Sequence, residues 1–208
     1  MEAYITVAIV AYAIGSINFA VILSRKFAGF DVREKGSKNA GTTNVLRTVG
    51  KKAAALTLIL DILKGVAAVL TAILAQLMWT GFDLTTLKYI AGFMAILGHT
   101  FPIFFEFRGG KGVATAIGVL LMLNWKIGLI CLVFGLVVIA ISKMVSLGSI
   151  SAAILFPILT IFMQENVKPV GIVVSFAIAG LVVFNHRSNI KRIKQGNENK
   201  LSFKNTKW

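Results

Sequence analysis

Three short polar segments carry most of the side chains in this chain that could act on a phosphate group. Residues 36–47 bring together Gly36, Ser37, Lys38, Asn39, Gly41, Thr42, Thr43, Asn44 and Arg47. A second segment is Arg108, Gly109, Gly110, Lys111 and Gly112, and a third runs through Asn185, His186, Arg187, Ser188 and Asn189. Glycine lets backbone N–H groups approach an anion, hydroxyls and amides add neutral donors, and Lys or Arg supply charge where a phosphoryl oxygen is held. The expected chemistry is binding of a phosphorylated substrate by cations and amide donors.

Each segment also has a plainer reading. Gly109–Gly112 leads straight into an apolar helix, so the N–H groups of the helix start, the positive end of its dipole and Lys111 are expected to face one anion. A glycine-rich turn with membrane-flanking cations is the alternative. The segment is not a Walker A loop, because its spacing and ending differ. For residues 36–47 ligand binding is expected over the alternative that Thr43 or Asn44 caps the next helix. His186 could exchange a proton near neutral pH, or simply sit on the carbonyls that end a helix. His99, in Gly98-His-Thr-Phe-Pro102, has the same ambiguity and reads as part of a structural turn. Asp61 and Lys64, three positions apart, read as a buried pair that orients helices. Gly15, Ser16, Asn18, Gly65 and Gly118 read as close-packing positions.

Absences narrow the chemistry. The chain has only eight acidic residues and no Asp-x-x-Asp pair on the expected cytoplasmic face, so no metal or other cofactor is expected. Five positions after His99 and His186 stand Phe104 and Lys191, so the common His-x₄-Asp acyltransferase signature is missing, as is a Gly-x-Ser-x-Gly elbow. Cys131 is alone, which excludes a disulfide framework.

The elements that position these segments are read from hydropathy. The 208 residues are 57% apolar and 14% charged, with a mean hydropathy of +0.82, more apolar surface than a soluble interior could take up. An all-α, polytopic membrane protein is expected, with seven transmembrane helices near 3–23, 53–77, 87–105, 113–123, 127–141, 146–163 and 170–184. The fourth run is short, and the alternative fuses 113–142 into one helix. The start of the chain lacks a basic region, so the first run reads as a retained span. With seven spans and an external N-terminus, 18 of the 22 Lys and Arg residues fall on one side, which is then cytoplasmic. All three polar segments share that face, whereas a transport path would place polar groups at the midplane. The net charge of +14 sits in short loops and not along one exposed face, which argues against nucleic acid. One transmembrane domain, 1–208, is expected, with 186–208 as a cytoplasmic basic tail.

In these residues the chain resembles the bacterial acyl-phosphate:glycerol-3-phosphate acyltransferases, the PlsY family. The resemblance runs through Gly15-Ser16, residues 36–47, Leu60-Asp-Ile-Leu-Lys-Gly65, Gly98-His-Thr-Phe-Pro102, Gly109-Gly-Lys-Gly-Val-Ala-Thr115, Val145-Ser-Leu-Gly-Ser149 and His186-Arg-Ser-Asn189. It departs at Gly148, where Ala is expected, and in the basic tail. It implies transfer of a fatty acyl group from acyl phosphate to the first hydroxyl of glycerol-3-phosphate, giving lysophosphatidic acid and phosphate. It also implies a bacterial inner-membrane location, contact with inner-leaflet lipid and no obligate protein partner. Lys111, His186 and Asn189 are the expected catalytic residues. Gly36, Ser37, Asn39, Gly41, Thr43, Asn44, Arg47, Gly109, Gly110, Gly112, Ser146 and Ser149 are the expected substrate-binding ones. The Gly109–Gly112 loop with Lys111 is assigned to the acyl-phosphate head group, and Ser37, Asn39, Arg47, His186 and Asn189 to glycerol-3-phosphate or developing charge. The general base is either His186 or the departing phosphate.

Overall fold

The computed structural model describes residues 1–201, in which ten α-helices and two 3₁₀ turns are the regular elements. Residues 202–208, which include the end of the expected basic tail, lie outside the described residues. The chain divides into two compact units, Met1–Leu123 and a second beginning at Asn124.

The first unit opens with α1 (Glu2–Gly15) and α2 (Phe19–Ala28). The sequence reads one apolar span here; the helix is interrupted because the Asn18 side chain accepts the Val21 N–H at 3.2 Å and starts α2 afresh. Asn18 is therefore a cap and not a packing residue. A 3₁₀ turn, Val32–Glu34, precedes α3 (Thr42–Thr48), and α4 (Lys51–Met78) follows Gly50. Thr43 and Asn44 lie inside α3, so neither caps the long helix. Then come α5 (Leu84–Thr100), the 3₁₀ turn Ile103–Phe105 and α6 (Val113–Leu123).

Glycine lets these helices approach backbone to backbone. A Cβ on Gly15 of α1 would strike the Ala95 carbonyl of α5, and one on Gly98 of α5 would strike the Tyr12 carbonyl of α1. The α4–α6 pair repeats the device: Gly65 meets the Thr115 carbonyl and Gly118 the Ile62 carbonyl. The packing role expected for Gly15, Gly65 and Gly118 is thus present. Asp61 and Lys64 form an ion pair of 2.9 Å at 2% and 3% side-chain exposure, and Lys64 Nζ donates to the Ile17 carbonyl at 2.6 Å. The pair ties α4 to the interruption between α1 and α2.

The second unit contains α7 (Trp125–Ser142), α8 (Val145–Met163), α9 (Pro169–Asn185) and α10 (Arg187–Lys194). Asn124 accepts the Lys126 and Ile127 N–H groups, so 113–142 is two helices and not one. Proline at the first position of α9 removes a donor that would have no helical partner. Between α9 and α10 the axis bends by 59°.

Among the described residues, five helices or joined helices are long and apolar enough to cross a membrane, and six if α9 with α10 is one span. At 11 residues α6 extends about 16 Å, roughly half the hydrocarbon thickness. Leu74 and Leu77 of α4 and Leu136 and Ile141 of α7 are exposed apolar side chains, as lipid contact requires.

Candidate active site

The first two polar segments meet in the first unit. Asn44 organises the first: its Oδ1 accepts the Ser37 N–H at 2.9 Å, while Nδ2 donates to the carbonyls of Val32, Lys35 and Asn39. At 1% exposure its amide holds the loop's own backbone, beside the substrate-binding role expected of it. Gly36 has φ +60°, and a Cβ there would strike Asn44 Oδ1, so its role too is to let this loop close. Around the loop, Ser37 and Arg47 are exposed, Asn39 and Thr43 are half-buried, and Gly41 stands at the N-terminus of α3.

Arg33, which the sequence reading passed over, ties this loop to the next. It is 8% exposed, pairs with Asp31 at 2.8 Å and donates from Nη1 to the Phe105 carbonyl at 2.8 Å. Burial pushes the Asp31 carboxyl up. The hydrogen bonds and charge of Arg33, with a bond from Arg25, outweigh that and hold it at about 2, against 3.8 ordinarily.

The second segment differs from expectation in how it uses its glycines. Gly109 N–H donates to the Thr100 carbonyl and Gly110 N–H to the His99 carbonyl, both at 3.1 Å. These two amides are engaged within the fold, with the end of α5. The residues are glycine because nothing larger fits: a Cβ on Gly110 would collide with His99 Nε2 and with the Ala40 carbonyl of the first segment. Gly110 is thus the point where the two segments touch. Gly112 has φ +84°, and its carbonyl accepts the first hydrogen bond of α6, from Ala116 at 2.8 Å. Lys111 is half-buried between these glycines.

The third segment lies in the second unit, with Ser146 and Ser149. His186 is 3% exposed and ends α9. Its Nδ1 lies 2.7 Å from the Val182 carbonyl, an acceptor only, so Nδ1 carries a proton and the lone pair of the neutral ring is on Nε2. Asn189 Nδ2 donates to Glu198 Oε1 at 2.7 Å, Ser146 Oγ to the same oxygen at 2.9 Å, and Arg192 Nε to Oε2 at 2.8 Å. Burial raises the Glu198 carboxyl, but these three donors more than offset it and hold it below the usual carboxylate range. Sequence reasoning missed Glu198. Its signal was its isolation, the one acidic residue after Glu165 in a strongly basic stretch. Ser149 Oγ donates to the Val145 carbonyl of its own helix at 2.9 Å.

Gly148 explains the departure from the expected Ala. A Cβ there would meet the Gly135 carbonyl and the Ile139 side chain of α7.

A family model described as glycerol-3-phosphate acyltransferase matches residues 5–196. A glycerol-3-phosphate acyltransferase of Clostridioides difficile (strain 630) is 43% identical over 201 residues, 97% of each chain. One from Thermoanaerobacter pseudethanolicus is 45% identical over 197 residues, 95% of each. Among solved structures, the crystal structure of PlsY, an integral membrane glycerol 3-phosphate acyltransferase, in its glycerol 3-phosphate form matches with a TM-score of 0.86 at 35% identity over 96% of both chains. Its lysophosphatidic acid form matches with a TM-score of 0.83 at 33% identity, over 96% of this chain and 95% of that one. With the family model spanning almost the whole sequence and the motif-bearing segments folded as above, the chain belongs to the glycerol-3-phosphate acyltransferase family of integral membrane proteins.

Proposed function

We propose that this protein transfers a fatty acyl group from acyl phosphate to the first hydroxyl of glycerol-3-phosphate, releasing lysophosphatidic acid and inorganic phosphate. The observation that carries this reading is the match over 96% of the chain to PlsY in a glycerol 3-phosphate form and also in a lysophosphatidic acid form. The hydroxyl oxygen forms a bond to the acyl carbon, the bond from that carbon to the phosphate oxygen breaks, and the phosphate leaves. Acyl phosphate is already activated, so the enzyme's task is to hold two anions together, orient the hydroxyl and stabilise the tetrahedral oxyanion.

Lys111 holds a phosphoryl group. Ser37, Asn39, Thr43 and Arg47 bind glycerol-3-phosphate, and Asn189 donates to developing charge. With Gly109 and Gly110 bonded to the end of α5, their loop serves by holding Lys111 and the first turn of α6 in place. The hydroxyl proton goes to His186 Nε2 or to the departing phosphate, and His186→Gln separates the two. No cofactor enters the scheme.

The protein is assigned to the bacterial inner membrane, with seven crossings, the N-terminus outside, the C-terminus and the active site cytoplasmic, and the acyl chain reaching the site from the inner leaflet. The bias of 18 of 22 basic residues to one side supports this. Membrane vesicles test reaction and orientation together. Glycerol-3-phosphate added outside should be acylated in inside-out vesicles and not in sealed right-side-out ones. Lys111→Ala should lower the inside-out rate by about 10²–10³-fold, the usual loss when a charge-stabilising donor is removed. Wild-type rates in Lys111→Ala, or equal rates in the two orientations, would overturn the assignment.

A further inference from the structure

A buried polar array in the first unit ends on the Gly109–Gly112 loop. It starts at Ile17, whose carbonyl accepts Lys64 Nζ at 2.6 Å. Lys64 pairs with Asp61 Oδ1 at 2.9 Å, and the same oxygen lies 3.6 Å from His99 Nδ1. His99 Nδ1 also stands 3.2 Å from Thr115 Oγ1 of α6. Asp61, Lys64, His99 and Thr115 are all 5% exposed or less. Ions and imidazoles are expensive to bury among apolar helices, and apolar side chains of similar volume orient helices equally well. Orientation alone therefore does not account for the histidine at the end of the array.

The far edge of His99 gives the reason. With Nδ1 at 3.2 Å from Thr115 Oγ1 and 3.6 Å from Asp61 Oδ1, Nε2 lies against Gly110, close enough that a Cβ there would collide with it and with the Ala40 carbonyl. The main chain of the same turn takes up the loop as well, His99 accepting from Gly110 N–H and Thr100 from Gly109 N–H. The imidazole is thus wedged between a charged pair in α4 and the backbone of the residue before Lys111.

We infer that His99 is a positioning residue: held by Asp61 and Thr115, its imidazole sets the backbone of the Gly109–Gly112 loop and thereby the place of Lys111. Asp61 and Lys64 act through it. The inference rests on the reading of this loop as a phosphate-binding element.

The test is a set of KM values for palmitoyl phosphate and for glycerol-3-phosphate, measured on purified protein in detergent for Lys111→Gln, His99→Asn, His99→Gln and Asp61→Asn. KM is independent of the fraction of protein that folds, and both His99 substitutions are close in size to the imidazole. His99→Asn can still face Thr115 and Asp61 but stops short of Gly110. It should raise by about tenfold the KM of whichever substrate Lys111→Gln affects, as removal of an outer supporting partner does, and leave the other within about twofold. Asp61→Asn should raise the same KM. His99→Gln, whose amide reaches Gly110, should recover most of the loss. The double variant with Lys111→Gln should lose less than the product of the single losses, because both act on one contact. If Lys111→Gln shifts neither KM, the phosphate-loop reading itself fails. If it shifts one while the His99 variants shift neither, or if the losses simply multiply, the positioning role fails and the loop reading stands.

Discussion

Asn44 and Glu198 do the same work in different units: each is a buried side chain that gathers the groups around it and gives a polar segment its shape. Asn44 collects one backbone N–H and three carbonyls, and Glu198 collects Ser146, Asn189 and Arg192. Residue types and spacing made the segments legible in the sequence, because glycines, amides and cations stand out in an apolar chain. They did not reveal which side chains face a ligand and which face the backbone. An asparagine that binds a phosphate and one that closes a loop have the same neighbours in sequence. Asp31 belongs with the second kind, holding Arg25 and Arg33 at 2.9 and 2.8 Å. Its folded carboxyl lies near 2 and its ordinary value is 3.8, so its contribution to stability is complete above about pH 4 and is lost as the pH falls toward 2. Asp31→Asn should therefore lower the thermal midpoint by a few °C at neutral pH, the scale expected for loss of about 1 kcal/mol or more. Melting curves of both proteins taken downward from neutral pH should converge between about pH 4 and pH 2. A constant difference across that range would show that the ion pairs contribute nothing.

Helices follow hydropathy closely, and the departures come from single capping residues. The interruption at residues 16–18 falls inside an apolar stretch, where a 19-residue average sees nothing, whereas the break at Asn124 lies where the sequence separates the runs 113–123 and 127–141. In both cases one asparagine side chain accepts backbone N–H groups and starts a new helix. Contacts between helices were partly legible, since Gly15, Gly65 and Gly118 mark where backbones meet. Gly148 was visible only as a departure from a resemblance, because its constraint is the α7 backbone, distant in hydropathy terms from anything polar. Gly148→Ala should cost about 1–3 kcal/mol as overpacking against α7, read as a lower melting temperature in detergent. Gly180→Ala on α9, where a new Cβ meets nothing within 4 Å, should leave the melting temperature nearly unchanged. Equal melting temperatures for the two variants would refute the close α7–α8 packing.

For the molecule as a whole, composition pointed to the membrane and charge to an orientation, while the family resemblance supplied the reaction. The fold matches PlsY with a TM-score of 0.86, and its described helices include five or six long enough to span a bilayer. Hydropathy and charge predict seven crossings, and α6, at 11 residues, is too short by itself to count among the five or six described helices of full spanning length. The reaction makes a sharper claim than the topology: two anions meet and an acyl group moves between them without a metal. The most direct test incubates the purified wild-type protein with palmitoyl phosphate and glycerol-3-phosphate in excess EDTA and follows both products. The account predicts lysophosphatidic acid and inorganic phosphate in equal amounts, and no phosphate release when glycerol-3-phosphate is omitted. Phosphate without lipid product, or no reaction until a divalent cation is restored, would contradict it.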